Sequence, residues 1–185
     1  MKVLLHTCCG PCASACVPRL KEEGHRVVLF FSNCNIDTRE EFEKRLAEAR
    51  KLGAAEGVEV VADDYDHADW LEQVAKGFES EPEKGARCAR CFRYSLARVA
   101  AWAAANGCEA FTTSLTVSPH KVSPVVFAAG RDVERQTGET AKFLERNFKK
   151  NDGFLLSLRR SAELGLYRQS YCGCEFSRRV PSDGI

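Results

Sequence analysis

The chain has 185 residues, 44% of them hydrophobic and 29% charged, which is the size and make-up of one soluble globular domain with a single core. A net charge of only +1 hides an asymmetry, acidic residues being in excess up to Phe92 and basic ones beyond it, a pattern that suits a nucleic-acid partner as well as a solvated surface. No apolar run approaches the roughly 20 residues of a membrane span, and Val3-Leu4-Leu5 is too short for the apolar core of a secretory signal, so a cytoplasmic protein with no membrane partner is expected.

Lys2 to Thr7 reads as a short buried strand bounded by a Cys-Gly-Pro turn, followed by a helix from about Ala13 to Glu23 that Gly24 stops. Arg26 to Ser32 is a second strand, too continuously apolar to be half-exposed. Thr38 to Gly53 is a charged amphipathic helix, with Thr38 and Glu41 at the spacing of a capping box. Val58 to Tyr65 gives a third strand, and a helix starts at Asp66 or His67 and runs towards Phe78. A polar loop from Glu79 to Gly85 leads to Arg87-Cys88-Ala89-Arg90-Cys91, and an alanine-rich helix continues to Asn106, with Gly107 as its stop. Ala110 to Val117 is the fourth strand, and Ser123-Pro124 opens the next helix. Residues 142–150 are strand or irregular, 156–164 are helical, and 180–185 form a loose polar tail to a single domain at 1–179.

Such alternation argues for an α/β fold, a parallel sheet with helices on both faces. Ligands of such sheets sit at the carboxyl ends of the strands, near a topological switch point. The loop after the first strand, where Cys8-Cys9-Gly10-Pro11-Cys12 falls, points there.

Ten cysteines in a reducing compartment favour metal ligation or redox chemistry over structural disulfides. Cys9-Gly10-Pro11-Cys12 alone would suit dithiol exchange, but that leaves Cys8, Cys88-x-x-Cys91 and Cys172-Gly173-Cys174 without a role. The C-x-x-C and C-x-C pairs have ligand spacing. Adjacent Cys8 and Cys9 are expected to point apart and to serve two neighbouring centres. With Cys12 this makes seven thiolates, more than one four-coordinate zinc uses, so a cluster with a second metal and a zinc staple both stand. Cys16 and Cys108 are expected in the core, and Cys34 at a loop end that can line the site.

LLHTCCGPC, FFSNCNI with a following EEFEKR, GARCARCF, FTTSLTVSPHK and LYRQSYCGCEFS occur in this order. Together they resemble the QueH family of epoxyqueuosine reductases, from Val3 to about Ser177. The resemblance implies a Rossmann-like sheet related to the nucleotide-hydrolase type. It also implies reduction of epoxyqueuosine to queuosine at the wobble position of tRNA, the last step of queuosine biosynthesis, without cobalamin. The cofactors implied are a 4Fe–4S cluster and an adjacent mononuclear iron. Carried over, Cys88 and Cys91 hold the cluster with one of Cys8/Cys9 and one of Cys172/Cys174, while the other member of each pair and Cys12 hold the extra iron. An electron donor is required.

On that footing, His6, Tyr171 and His120 are candidate proton donors, and Asn33 and Asn35 can meet nucleobase edges. Lys121, Lys149, Lys150, Arg160 and Arg168 are candidates for tRNA phosphates. Tyr167 or Tyr171 can stack on an extruded base. Four stretches depart from the family pattern. Cys34 stands where a proline is usual, Ser95 replaces an arginine, and His120 and Val122 stand in a Ser-Pro-Tyr-Lys-Asn motif. Residues 147–150 read Asn-Phe-Lys-Lys in place of Asp-Phe-Arg-Lys. Two rival classes remain: a zinc-stapled tRNA-binding module without catalysis, and an ATP-using tRNA-modifying enzyme. The latter needs a phosphate loop after the first strand, where only Gly10 is available.

Overall fold

In the computed structural model, which describes residues 1–178, five parallel strands form one sheet. The tail expected at 180–185 lies outside the described residues. The strands are β1 (Lys2–His6), β2 (Arg26–Phe31), β3 (Glu59–Ala62), β4 (Ala110–Thr113) and β5 (Lys142–Phe143), in the order β3-β2-β1-β4-β5. The chain steps outward from β1 to β3, then returns to pair β4 with the other edge of β1. That reversal opens a crevice between the carboxyl ends of β1 and β4, the switch point at which α/β sheets bind ligands.

Among the described residues there are six α-helices: α1 (Gly10–Glu22), α2 (Arg39–Glu56), α3 (His67–Trp70), α4 (Ala86–Ala105), α5 (Ser123–Gln136) and α6 (Gly153–Glu163), of which α1, α2, α4 and α5 cover the sheet and α6 packs on α1. Successive side chains of a strand point to opposite faces, so a strand covered on both sides must be apolar throughout. Thus Leu4, Val28, Phe30 and Phe111 pack against Leu96 and Val99 of α4 and Val126 and Val133 of α5. Leu5, Val27 and Leu29 pack against Val17 and Leu20 of α1 and Leu52 of α2. The expected α/β architecture is the one observed.

Element ends differ from expectation for physical reasons. Helix α1 starts at Gly10, not Ala13, because Cys9 is its N-cap: the Cys9 Sγ accepts from the Cys12 N–H at 3.4 Å. Thr38 caps α2 as expected, its Oγ1 accepting from the Glu41 N–H at 3.2 Å. That helix, however, runs through Gly53 to Gly57, whose φ of +64° ends it. Gly53 instead admits β3, since a Cβ there would lie 2.2 Å from Val60 Cγ2. The helix expected towards Phe78 is one turn of α-helix followed by a π-helical turn, Leu71–Ala75. Strand β4 stops at Thr113 instead of Val117. The Thr113 hydroxyl accepts from the Leu115 N–H at 3.1 Å and folds Ser114–Val117 into a 3-10 turn.

Candidate metal centre

The centre begins where β1 meets α1. Three sulfurs, from Cys8, Cys9 and Cys12, lie within 4.8 Å of one another. The vicinal pair therefore converges instead of diverging, because the capping bond folds the Cys9 sulfur back over the first turn of α1. The Ser114 hydroxyl, presented by the turn after β4, donates to Cys8 Sγ at 3.2 Å and accepts from the Cys8 N–H at 3.1 Å. Gly10 lets α1 approach α2, since a Cβ there would sit 2.8 Å from the Glu48 carbonyl oxygen. The glycine of the CGPC string thus has a packing role.

Sulfurs this close and this buried cannot all ionise without a cation. Hydrogen bonds from Cys12 and Cys8 draw the Cys9 thiol well below its ordinary value, with the Gln169 amide contributing. Bonds with Cys8 and then Cys9, followed by burial, push the Cys12 thiol well above its own. A soft metal is the species that lets three such thiolates coexist, so the donor set fits one.

Of the other four ligand candidates, Cys91 and Cys172 line the cavity, whereas Cys88 Sγ accepts from the Lys84 N–H at 3.3 Å and Cys174 packs with Trp70 and Cys34. Cys88 and Cys91 occupy the first turns of α4, directly after the loop that ends at Gly85. The intervening loop is fixed by buried Arg87, whose Nη1 donates to the carbonyls of Phe78, Glu79 and Glu81 at 2.8, 3.1 and 2.7 Å. The Cys172-Gly173-Cys174 segment is held by Arg45, 1% exposed on α2. Its guanidinium pairs with Glu41 at 2.6 Å and donates to the carbonyls of Cys172 at 2.9 Å and Tyr171 at 3.3 Å. Gly173 has φ of +137°, and a Cβ there would meet Asn35 Nδ2 at 2.9 Å. Gly173→Ala should therefore destabilise the fold by about 1–3 kcal/mol and lower metal retention. Urea unfolding with metal analysis checks this, and unchanged values would refute the tight turn. Among the described residues, only Cys8, Cys9 and Cys12 form a group of three convergent ligands.

Cys8, Cys12, Cys91 and Cys172 line a cavity of about 290 Å³, and Asn33, Asn35, His6, His120, Lys121, Arg168 and Tyr171 also line it. His6 is a framework residue: its Nδ1 meets Thr113 Oγ1 at 2.9 Å and its Nε2 the Ser32 carbonyl at 3.1 Å. Burial lowers it to about 4, so it is a neutral imidazole with both nitrogens engaged. The Tyr171 hydroxyl donates to Asp37 at 2.8 Å; burial and that carboxylate push it up to about 12. His120 is exposed at the cavity mouth. Asn33 donates from Nδ2 to the Thr7 carbonyl at 2.9 Å.

The cationic candidates separate. Lys121 turns inward, its Nζ 2.8 Å from Cys172 Sγ. Burial would lower this ammonium, but the surrounding sulfurs, Cys172 first, outweigh burial and push it up. Lys149 donates to the Lys121 carbonyl at 2.5 Å. Arg160 pairs with Glu56. Lys150 is exposed, and Arg168 donates to Ser161 Oγ at 3.0 Å beside the cavity. Tyr167 lies outside the cavity lining, under the Lys44 ammonium at 3.6 Å from its ring centre. Cys16 and Cys108 are buried core residues, and Cys34 donates to the Asp64 carbonyl at 3.3 Å. Arg45, Arg87, Ser114, Gln169 and Trp70 are site residues that sequence reasoning missed.

Fold and site together define a Rossmann-like domain in which a converging thiol centre occupies the switch point. A family model described as epoxyqueuosine reductase QueH matches residues 3–180, and the chain belongs to that family, which makes it an oxidoreductase. It is 34% identical over 184 residues to epoxyqueuosine reductase QueH of Streptococcus pyogenes serotype M1, covering 96% of this chain and 71% of that protein. The Thermotoga maritima enzyme of the same name is 34% identical over 178 residues, covering 95% and 89%. That of Dehalococcoides mccartyi is 32% identical over 177 residues, covering 95% and 92%. No described helix is long and apolar enough to cross a membrane.

Proposed function

We propose that residues 1–179 form a single cytoplasmic reductase domain that converts epoxyqueuosine to queuosine at the wobble position of tRNA. It uses a 4Fe–4S cluster and an adjacent iron in place of cobalamin. The observation that carries this reading is the convergence of the Cys8, Cys9 and Cys12 sulfurs, with Cys8 and Cys12 lining one cavity together with Cys91 and Cys172, in a chain of the reductase family. Cys88 and Cys174 complete the seven ligands. The close approach of Cys8, Cys9 and Cys12 favours their sharing one centre.

Two carbon–oxygen bonds of the epoxide break, a carbon–carbon double bond forms, and the oxygen leaves as water. The balance takes two electrons from an external donor and two protons. When bound, the iron–sulfur group supplies the electrons singly, and its neighbouring iron offers a Lewis acid to the departing oxygen.

The chain's own residues do the rest. An extruded base enters between Asn33 and Asn35 on one wall and Tyr171 on the other, its edge met by the asparagine amides. Exposed His120 delivers a proton at the mouth, and Tyr171, kept protonated beside Asp37, a second from within. His6 orients the Thr113 and Ser32 walls. Arg168 and Lys150 meet backbone phosphates, with Lys121, Lys149 and Arg160 behind them.

The test is metal and acid-labile sulfide analysis on protein purified without oxygen, followed by turnover on epoxyqueuosine-containing tRNA with a chemical reductant. Expected are about four sulfides with more irons than sulfides per chain, and queuosine as product. A colourless protein holding only zinc would sink the reading and leave a tRNA-binding module.

A further inference from the structure

Seven thiols account for holding a metal group but not for how readily it accepts electrons. Two nitrogen donors from outside the cysteine motifs lie among those thiols. Lys121 enters between the turn after β4 and α5, its Nζ 2.8 Å from Cys172 Sγ. Its backbone is fixed by Lys149, which donates to the Lys121 carbonyl. Trp70 comes from the end of α3, 1% exposed and stacked on His67 with ring centroids 5.4 Å apart. Its indole N–H is buried and has no partner. The Cys91 thiol packs against the same apolar cluster. Trp70 and Cys91 thus share one packed cluster, with the indole nitrogen unpartnered inside it. A neutral thiol is a poor acceptor, whereas a metal-bound thiolate would satisfy the orphaned indole.

We infer that Lys121 and Trp70 set the electron affinity of the bound metal group by donating N–H···S hydrogen bonds to Cys172 and Cys91. The inference rests on the iron–sulfur reading above. Each electron added to a thiolate-held group raises the negative charge on its sulfurs. Donors to those sulfurs stabilise the reduced form more than the oxidised form, and so raise the reduction potential. Lys121 adds a full positive charge to its bond, and Trp70 acts from a dry pocket where a hydrogen bond is strong. A group at the bottom of a thiol-lined cavity carries much negative charge. These two donors let it be reduced by an ordinary cellular donor.

The test is an optical redox titration of the oxygen-free holoprotein, with iron and sulfide counted in every sample. Lys121→Gln and Trp70→Phe should each shift the midpoint to lower potential. Lys121→Arg should restore most of the shift. Trp102→Phe, at a ring tilted against Phe30 and with no hydrogen bond to a sulfur, should leave the midpoint unchanged. If Trp70→Phe loses its metal, Lys121→Gln decides, because it removes the ammonium while keeping a polar chain of similar reach. Wild-type iron and sulfide counts with an unshifted midpoint in Lys121→Gln would overturn the inference and leave the proposed function intact. A wild-type protein without labile sulfide would overturn the function instead. Cobalt(II) then probes the same sulfurs alone: its sulfur-to-metal charge-transfer band moves in Lys121→Gln if that donor acts on Cys172, and a fixed band refutes it.

Discussion

Replacing Cys12 by alanine should give a folded protein that has lost most of its metal and turns over about 100-fold more slowly, or worse. The thiol is 7% exposed, so its removal as a small apolar group costs only about 1 kcal/mol of stability. Its larger role is electrostatic. With Cys12 gone, the Cys8 and Cys9 sulfurs lose the partner that closes the 4.8 Å triangle at the end of β1. Measuring iron, sulfide and single-turnover product in the same sample separates loss of metal from loss of fold. Full metal and full activity in Cys12→Ala would remove this cysteine from the centre.

The second large effect is expected at a residue that touches no substrate. Arg45→Met should destabilise the protein by about 3–5 kcal/mol, the usual consequence of removing one partner of a buried ion pair. Glu41 would keep its charge beside an apolar chain, and the carbonyls of Cys172 and Tyr171 would lose their donors. Lysine restores the charge but not the planar fork, so Arg45→Lys should recover only part of the loss. Denaturant unfolding of the metal-free protein reads this directly. A loss below about 1 kcal/mol would mean that the pair behaves as a surface one.

The layered fold was legible because its signals are local. The unbroken apolar runs Val3-Leu4-Leu5 and Val27 to Phe31 can only be strands buried on both faces, and Thr38 with Glu41 marks a helix start without reference to anything distant. Signals misled where a residue answers to a distant partner. Gly53 looks like a helix stop, but its missing side chain makes room for Val60. Cys9 looks like a ligand alone, but its sulfur is also a helix cap. The same division runs through the site. Motif spacing and family resemblance bring out the cysteines, whereas Arg45 sits in a helix so charged that nothing marks one arginine as buried. Trp70 reads as ordinary core until its unpartnered nitrogen is seen beside a thiol. Lys121 reads as a surface cation, and only the fold turns it onto Cys172.

Cys8, Cys9 and Cys12 lie within five residues on one loop and turn, whereas Cys91 and Cys172 reach the cavity from segments tens of residues further along. The ribosome makes the first set long before the second. A nascent chain thus carries a local thiol trio early, able to catch a stray soft ion such as zinc, but has no enclosing wall until the segment around Cys174 has emerged. Correct loading is therefore a late event in the life of the chain. Delivery of the proper metal would have to act on the finished polypeptide, displacing whatever the trio had captured in the meantime.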